Sequence, residues 1–459
     1  MKEFLSSLQA NSSLTTIKEK VSPDLEISSI LYELQDRALI FEKIDGSLLR
    51  AAGNLYSTRD RLELGLKIGE GELLQNLEEA IRNPAGSKGK VSNFDKSVWS
   101  FNGPADLSKL PILKHFPNEA GRYVTAGIVV AKFPGSDEEN LSFHRMLVLS
   151  KNKVTLRIVP RHLNRIGIDS KDKRLPISIV IGPPPAVFVS SSIQTEFGLS
   201  EYKIANKLSS NSLKLVSSES SEIAVPLDSE IVLEGQIDFE EMVDEGPFVD
   251  LTGTYDEVRK QPVITLERMR YREDSVYQAV VASTLEHSIF MGLPQELKIR
   301  EALSKSVSNV RGINLTPASG GYFHCIVSID KTNDGDGKTA IMNCFAASHP
   351  LKLVIAVDSD VDPFDLTAVE WALTTRFQAE NGIVLIKGAR GSSLDPSSGK
   401  TAVTSKLGLD VTLRKNQNRE KFERATISHS PNVSSILSGF RGRGFGTSHP
   451  KAIAKTEMN

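Results

Sequence analysis

The chain has 459 residues, more than one hydrophobic core usually organises, so two or three domains are expected. Its 39% hydrophobic and 24% charged residues are ordinary globular values, and a formal net charge of −2 provides no global positive field for nucleic acid or an anionic membrane. Two cysteines, Cys325 and Cys344, are too few for a disulfide framework, and no apolar run reaches membrane-spanning length; a cytoplasmic protein with no nucleic-acid partner and no membrane insertion is expected.

Residues 1–98 read as an N-terminal α/β domain. Segments 27–34 and 62–81 carry apolar residues at helical spacing, and 38–41 is a buried strand. Residues 99–288 become strand-rich, with runs at 123–133, 146–149, 154–159, 177–181, 186–189 and 230–237 separated by turn signals, a pattern that predicts an antiparallel barrel or sandwich. From 289 to 425 the units alternate: helix 294–307, strands 322–329 and 352–357, helix 364–377, strand 383–386. That alternation predicts an α/β layer. In the second of these helices Asp362 is the expected N-cap, Pro363 the first helical residue, and Leu366, Val369, Leu373 and Phe377 one apolar face. Residues 426–459 form a Gly/Ser/Arg-rich tail. The fold class is α+β or α/β, multidomain.

Some motifs fail their own requirements. Asp358, Asp360 and Asp362 are spaced like a calcium loop, but Pro363 stands where that loop needs Gly and Val369 where it needs Glu. Ser398-Gly399-Lys400-Thr401 resembles the end of a phosphate loop, yet its first Gly is replaced by Leu394. The tail's Arg441-Gly442-Arg443-Gly444-Phe445 would suit RNA stacking, but as one short copy against the overall charge it is weak.

Four segments of the central region carry chemistry. Asn140-Leu141-Ser142-Phe143-His144-Arg145 begins a strand, Arg157-Ile158-Val159-Pro160-Arg161-His162 ends its hairpin partner, and Glu201 opens a helix. Asn, His and Glu form a mixed O/N ligand set suited to Mn²⁺ or Mg²⁺. Each residue also has an ordinary reading as turn, strand-end histidine or solvated helix. The fourth segment, Glu245-Gly246-Pro247-Phe248-Val249-Asp250, places Gly-Pro between two acids. Paired carboxylates near an Arg suit proton transfer, because unequal environments separate their ionisation. By itself the segment is more simply a surface turn.

Taken together, these segments resemble the UbiD-like decarboxylase family, and the resemblance runs from Val21-Ser22-Pro23 and Asn54-Leu55-Tyr56-Ser57-Thr58-Arg59 to Ser405-Lys406-Leu407-Gly408. Its most specific pieces are Asn140 to Arg145, Glu245-Gly246-Pro247-Phe248, and Asp358-Ser359-Asp360-Val361-Asp362-Pro363 leading to Trp371-Ala372-Leu373. The resemblance implies a central split β-barrel that binds prenylated FMN, made by a separate flavin prenyltransferase. The implied reaction is non-oxidative, reversible decarboxylation of a small α,β-unsaturated or aromatic acid. Loss of CO₂ from an sp² carbon needs an electron sink, which the modified flavin provides.

Carried over by motif, the resemblance implies that Asn140, His162 and Glu201 bind Mn²⁺ or Mg²⁺ at the cofactor phosphate. Ser142, Phe143, His144, Arg145 and Arg161 would line the cofactor, with Lys352 a phosphate contact, Lys406 a weaker one, and a K⁺ site near Ser191 to Ile193. Arg145, Glu245 and Asp250 would be the catalytic set, Asp250 the proton donor. Similarity to archaeal members implies trans-anhydromevalonate 5-phosphate as substrate, yielding isopentenyl phosphate, with Arg161 and Arg165 as cationic anchors. The alternatives are 4-hydroxy-3-polyprenylbenzoate or another aromatic acid, or a non-catalytic flavin- or RNA-binding protein. The family assembles as homodimers or homohexamers.

Overall fold

The computed structural model describes residues 1–425 apart from 171, 220 and 308, and then residues 427, 430, 433 and 436. The tail expected at 426–459, and the RNA alternative that depends on it, thus lie almost wholly outside the described residues. The chain forms two compact units: Met1–Leu297 with Pro317–Tyr322 and Leu394–Pro396, and Lys298–Thr316 with Phe323–Ser393 and the residues from Ser397 onward. Among the described residues no helix is long and apolar enough to cross a membrane.

The first unit begins with helix Lys2–Ala10 and a four-stranded sheet ordered Leu14–Val21, Ala38–Ile44, Arg50–Gly53, Val276–Ala279. The helical pattern over 62–81 resolves into two helices, Arg59–Leu66 and Leu73–Arg82. The first ends at Lys67, which takes the left-handed conformation at φ +58°. Next comes a nine-stranded antiparallel sheet ordered Tyr123–Val124, Met146–Val148, Lys153–Leu156, Arg259–Tyr271, Ile231–Glu245, Arg174–Ile181, Ile128–Lys132, Glu139–Phe143, with Phe101–Pro104 paired to Arg259–Tyr271. Among the described residues no pairing joins its two end strands, so the expected split barrel is seen as this open sheet. Residues 186–189, expected as a strand, lie in helix Pro185–Ser190, whose six residues are all buried. A short apolar run does not distinguish a buried strand from a buried helix, and Pro at the first helical position decides it here.

The long strand Ile231–Glu245 runs beside Arg259–Tyr271 to its last pair, Glu245 opposite Arg259. Gly235 permits that approach: a Cβ there would stand 2.2 Å from the Thr265 carbonyl oxygen. Beyond Glu245 the chain forms a small hairpin, Phe248–Val249 against Tyr255–Asp256.

Helix Leu285–Ser304 is anchored at its first turn by Glu286, fully buried, which accepts the backbone N–H groups of Asn54 (3.0 Å) and Tyr56 (2.9 Å). Burial pushes this carboxyl up to about 7, against the hydrogen bonds and the Arg61 charge that favour ionisation. A carboxyl that binds its proton more tightly folded than unfolded contributes stability that is complete below about pH 4.3 and lost as pH rises through about 7. Glu201, also raised to about 7 by burial, shares that window. We therefore expect thermal melts to show a fall in Tm between pH 5 and 8 that is shallower in Glu286→Gln; an unchanged slope would contradict this reading.

The second unit is the expected α/β layer. Its five-stranded sheet runs Val310–Leu315, His324–Ile329, Leu353–Asp358, Val403–Asp410, Ile383–Arg390, the middle three parallel. Helix Leu366–Arg376 is capped by Asp365, not Asp362: the Asp365 side chain accepts from Thr367 N (2.9 Å) and Ala368 N (3.1 Å). Leu366, placed on the apolar face, is half exposed, while Val369 and Ala372 are buried. Asp358 and Asp360, two of the calcium-like acids, serve as acceptors for Arg376.

Candidate active site

Arg145 lies between strands Glu139–Phe143 and Met146–Val148, and its guanidinium is the hub of a cluster of acids. Glu245 takes one edge in a paired contact, Nε to Oε1 and Nη2 to Oε2, both 3.0 Å. Asp250 Oδ2 accepts from Nη1 at 2.6 Å, and Asp256 Oδ2 from Nη2 at 2.9 Å. The Phe248 ring lies against the guanidinium, 4.7 Å from centroid to Cζ. Glu245 is completely buried, so the turn that by itself suggested solvated acids is in fact inward-facing. Glu245 is the last residue of strand Ile231–Glu245.

Burial would lower the Arg145 pKa. The hydrogen bonds and charge of Glu245, with the charges of Asp250 and Asp256, reverse that and raise it, so the hub stays cationic. Asp256 is held below the usual carboxylate range despite burial, through Arg259 (2.5 Å) and Arg145. Asp250, at the start of the hairpin turn, is further fixed by the Leu251 N–H on Oδ1 (2.7 Å).

The cofactor-lining candidates stand on the same sheet. Phe143 packs edge-on against Phe188 (4.7 Å), part of an aromatic cluster with Tyr56 and Phe290. Ser142 Oγ lies 2.9 Å from His144 Nε2, and His144 Nδ1 lies 2.9 Å from the Arg157 carbonyl oxygen. A carbonyl only accepts, so Nδ1 carries the proton and Nε2 accepts from the serine. Burial pushes this imidazole down to about 4, which keeps it neutral. Arg161 is exposed, immediately before helix His162–Asp169.

The proposed metal set is drawn from adjoining segments. Glu201, 2% exposed, accepts from Leu141 N (2.8 Å), Thr195 Oγ1 (2.9 Å) and Asn140 Nδ2 (3.2 Å). The Asn140 amide turns its nitrogen to Glu201, which leaves Oδ1 buried with no hydrogen-bond partner. His162 opens a helix that packs on strand Glu139–Phe143, and its ring meets Phe197, two residues past Thr195, at 5.5 Å. Burial, then the charges of Arg165 and Arg161, lower its pKa and favour the neutral, ligating form. An orphaned amide oxygen beside a buried carboxylate fits an oxygen-preferring divalent ion. Among the described residues no group of three His, Cys, Asp or Glu would hold a metal; this set has only two of those types.

The two lysines lie in the other compact unit. Lys352 donates to Ser397 Oγ (2.6 Å). Lys406 is buried and donates to the His349 and Leu351 carbonyl oxygens, both 2.7 Å. Arg165 stacks on Phe197 at 3.8 Å.

Sequence reasoning missed Asp256, Arg259 and His287. Asp250-Leu251-Thr252-Gly253 was a readable turn signal that would have placed Asp256 across a hairpin from Phe248. His287 accepts the Ser283 N–H at Nδ1 (3.1 Å) and senses the charges of Asp250 and Arg145, while burial lowers its pKa. Only the packing of its helix reveals it.

Family models match nearly the whole chain: 3-octaprenyl-4-hydroxybenzoate carboxy-lyase N-terminal domain at residues 5–81, Rift-related domain at 90–284 and C-terminal domain at 288–411. Three similar proteins are named anhydromevalonate phosphate decarboxylase. That of Archaeoglobus fulgidus is 42% identical (89% of this chain, 92% of the relative), that of Methanosarcina mazei 38% (93% and 99%), and that of Methanothermobacter thermautotrophicus 37% (90% and 96%). Among solved structures, the UbiD-class enzyme HmfF from Pelotomaculum thermopropionicum in complex with FMN aligns with a TM-score of 0.90 at 31% identity, covering 96% of this chain and 99% of that one. An evolved dimeric form of HmfF in complex with prFMN aligns at 0.85 and 28%, with the same coverage. The matched domains in order, and relatives 37–42% identical over about nine-tenths of its length, show that the chain belongs to the UbiD family of carboxy-lyases.

Proposed function

We propose that this protein is a prenylated-FMN-dependent decarboxylase that converts trans-anhydromevalonate 5-phosphate to isopentenyl phosphate without net oxidation. The observation that carries the catalytic part is the Arg145 hub with Glu245 and Asp250 within 3.0 Å. The names of the relatives support the substrate.

In this reading Asn140, His162 and Glu201 would hold Mn²⁺ or Mg²⁺, whose charge would favour an anionic cofactor. Ser142, Phe143, His144, Arg145 and Arg161 would line the cofactor, and Ser191 to Ile193 would hold K⁺. When bound, prenylated FMN supplies the electron sink for the charge left at carbon as CO₂ departs. Arg145 orients Asp250 through Nη1, and Asp250 delivers a proton to the carbon that has lost CO₂. Glu245, fully buried on the far edge of the guanidinium, stays paired with Arg145 and does not compete for that role. Arg161 and Arg165 attract the substrate phosphate. A flavin prenyltransferase supplies the cofactor, and the protein works as a homodimer or homohexamer.

The test is a CO₂-release assay on protein co-expressed with a flavin prenyltransferase, offering the anhydromevalonate phosphate beside 4-hydroxybenzoate-type acids. Turnover of the phosphorylated acid is expected; turnover of the aromatic acids alone would overturn the substrate. His162→Ala is expected to lower metal and flavin content together, by about tenfold in affinity or more. Full metal content in purified His162→Ala would remove it from the ligand set.

A further inference from the structure

Three acids meet at Arg145, and two of them already have a part in this reading, Asp250 as the proton donor and Glu245 as the paired counter-charge. Asp256 is the third, and its surroundings are those of an anchor. Its side chain is 6% exposed and is shared between two arginines, Arg145 Nη2 at 2.9 Å and Arg259 Nη1 at 2.5 Å, with the Glu257 N–H on Oδ1 at 2.9 Å. Arg157 Nε stands 3.9 Å away. Both of its oxygens accept hydrogen bonds from the hub or the hairpin, Oδ2 from Arg145 and Oδ1 from Arg259 and the Glu257 N–H. Arg259 is the strand partner of Glu245, and the Arg157 N–H donates to the Arg145 carbonyl oxygen at 3.1 Å.

Asp256 also pairs in register with Phe248 across the small hairpin, while Asp250 begins its turn, with Asp250 N–H to Thr254 O at 3.1 Å and Gly253 N–H to Asp250 O at 2.9 Å. The hairpin therefore wraps the guanidinium on three sides: Phe248 on its face, Asp250 on one edge and Asp256 on another. Glu245 alone would let the guanidinium and its partner swing together. A second fixed point on Nη2 sets the plane, and with it the direction of Nη1 toward Asp250.

We propose that Asp256, bridged to Arg259, is a positioning residue for the proton-delivering acid: it clamps the hairpin and the Arg145 plane so that Asp250 reaches the reacting carbon. Arg259 offsets the charge of Asp256, so the anchor adds little negative field beside Asp250. The inference rests on the reading of Asp250 as proton donor, and its test has one arm free of that reading.

In the cofactor-free protein, hydrogen exchange at the amides of Asp250 and Gly253 is expected to quicken about tenfold in Asp256→Asn and to stay near wild type in Asp256→Glu. In cofactor-loaded enzyme, Asp256→Asn is expected to lower kcat about ten- to a hundredfold with KM within about twofold, and Asp256→Glu to recover most of it. Unchanged exchange in Asp256→Asn overturns the proposal whatever the activity, as does faster exchange with full kcat. Equal damage to kcat and KM without rescue by Glu marks a merely structural residue and overturns it too. If Asp256→Asn does not fold, Arg259→Gln removes the same anchor from its other side and is expected to give the same exchange and kcat changes. An inactive wild type would refute the assigned reaction, while the exchange arm would still decide the clamp.

Discussion

Asp250→Asn is expected to lower decarboxylation by about a hundred- to ten-thousandfold, the range supplied by a positioned general acid, while leaving flavin content unchanged. Asparagine keeps the shape of the side chain but has a single oxygen, enough for either the Leu251 N–H on Oδ1 or Arg145 Nη1 on Oδ2 and not both, so one of these contacts is lost while Glu245 and Asp256 still hold the hub. The acidic proton is lost as well. Asp250 belongs to none of the segments assigned to the cofactor or the metal, so the absorption spectrum of the loaded protein is the control. Turnover within tenfold of wild type would remove Asp250 from the donor role.

Arg145→Met is expected to abolish turnover and to destabilise the fold by about 3–5 kcal/mol, the cost of leaving a buried ion pair half broken. Glu245 is completely buried and its charge is balanced across the paired contact with Arg145. Tyr123 cannot replace the lost positive charge: burial and the Glu245 charge raise its pKa and keep the phenol a neutral donor. Asp256 retains Arg259, so the damage falls on Glu245. A urea titration measures the loss. Arg145→Lys is expected to recover part of the stability and little of the activity, since a single ammonium has no fork to hold Glu245, Asp250 and Asp256 at once. A stable Arg145→Met variant with wild-type m-value would show that the buried pair with Glu245 adds little to stability.

What could be read in the sequence followed the range of the interactions involved. The strand starting near Asn140 and the helix opened by Glu201 are found within a few residues of where they were expected, whereas the strand expected at 230–237 runs on to Glu245, eight residues further. The cap expected at Asp362 falls at Asp365 instead: both suit a cap chemically, and the backbone path after Pro363 selects Asp365. The burial of Glu245 and Glu201 was invisible to composition, because an acid in a turn and an acid under a sheet share one letter. Asp256 reaches the site through a short hairpin register and His287 through a helix start, and what neither local pattern shows is that both lie beside Arg145 and Asp250. Glu286 holds residues more than two hundred positions away, and no window along the chain contains both ends of that contact.

The central claim, decarboxylation on a modified flavin, is tested most directly by loading the purified protein with either prenylated FMN or FMN and measuring CO₂ release from trans-anhydromevalonate 5-phosphate. Release with prenylated FMN and none with FMN is the predicted result. Equal release with both flavins, or none with prenylated FMN in protein whose metal and flavin sites are full, would contradict it.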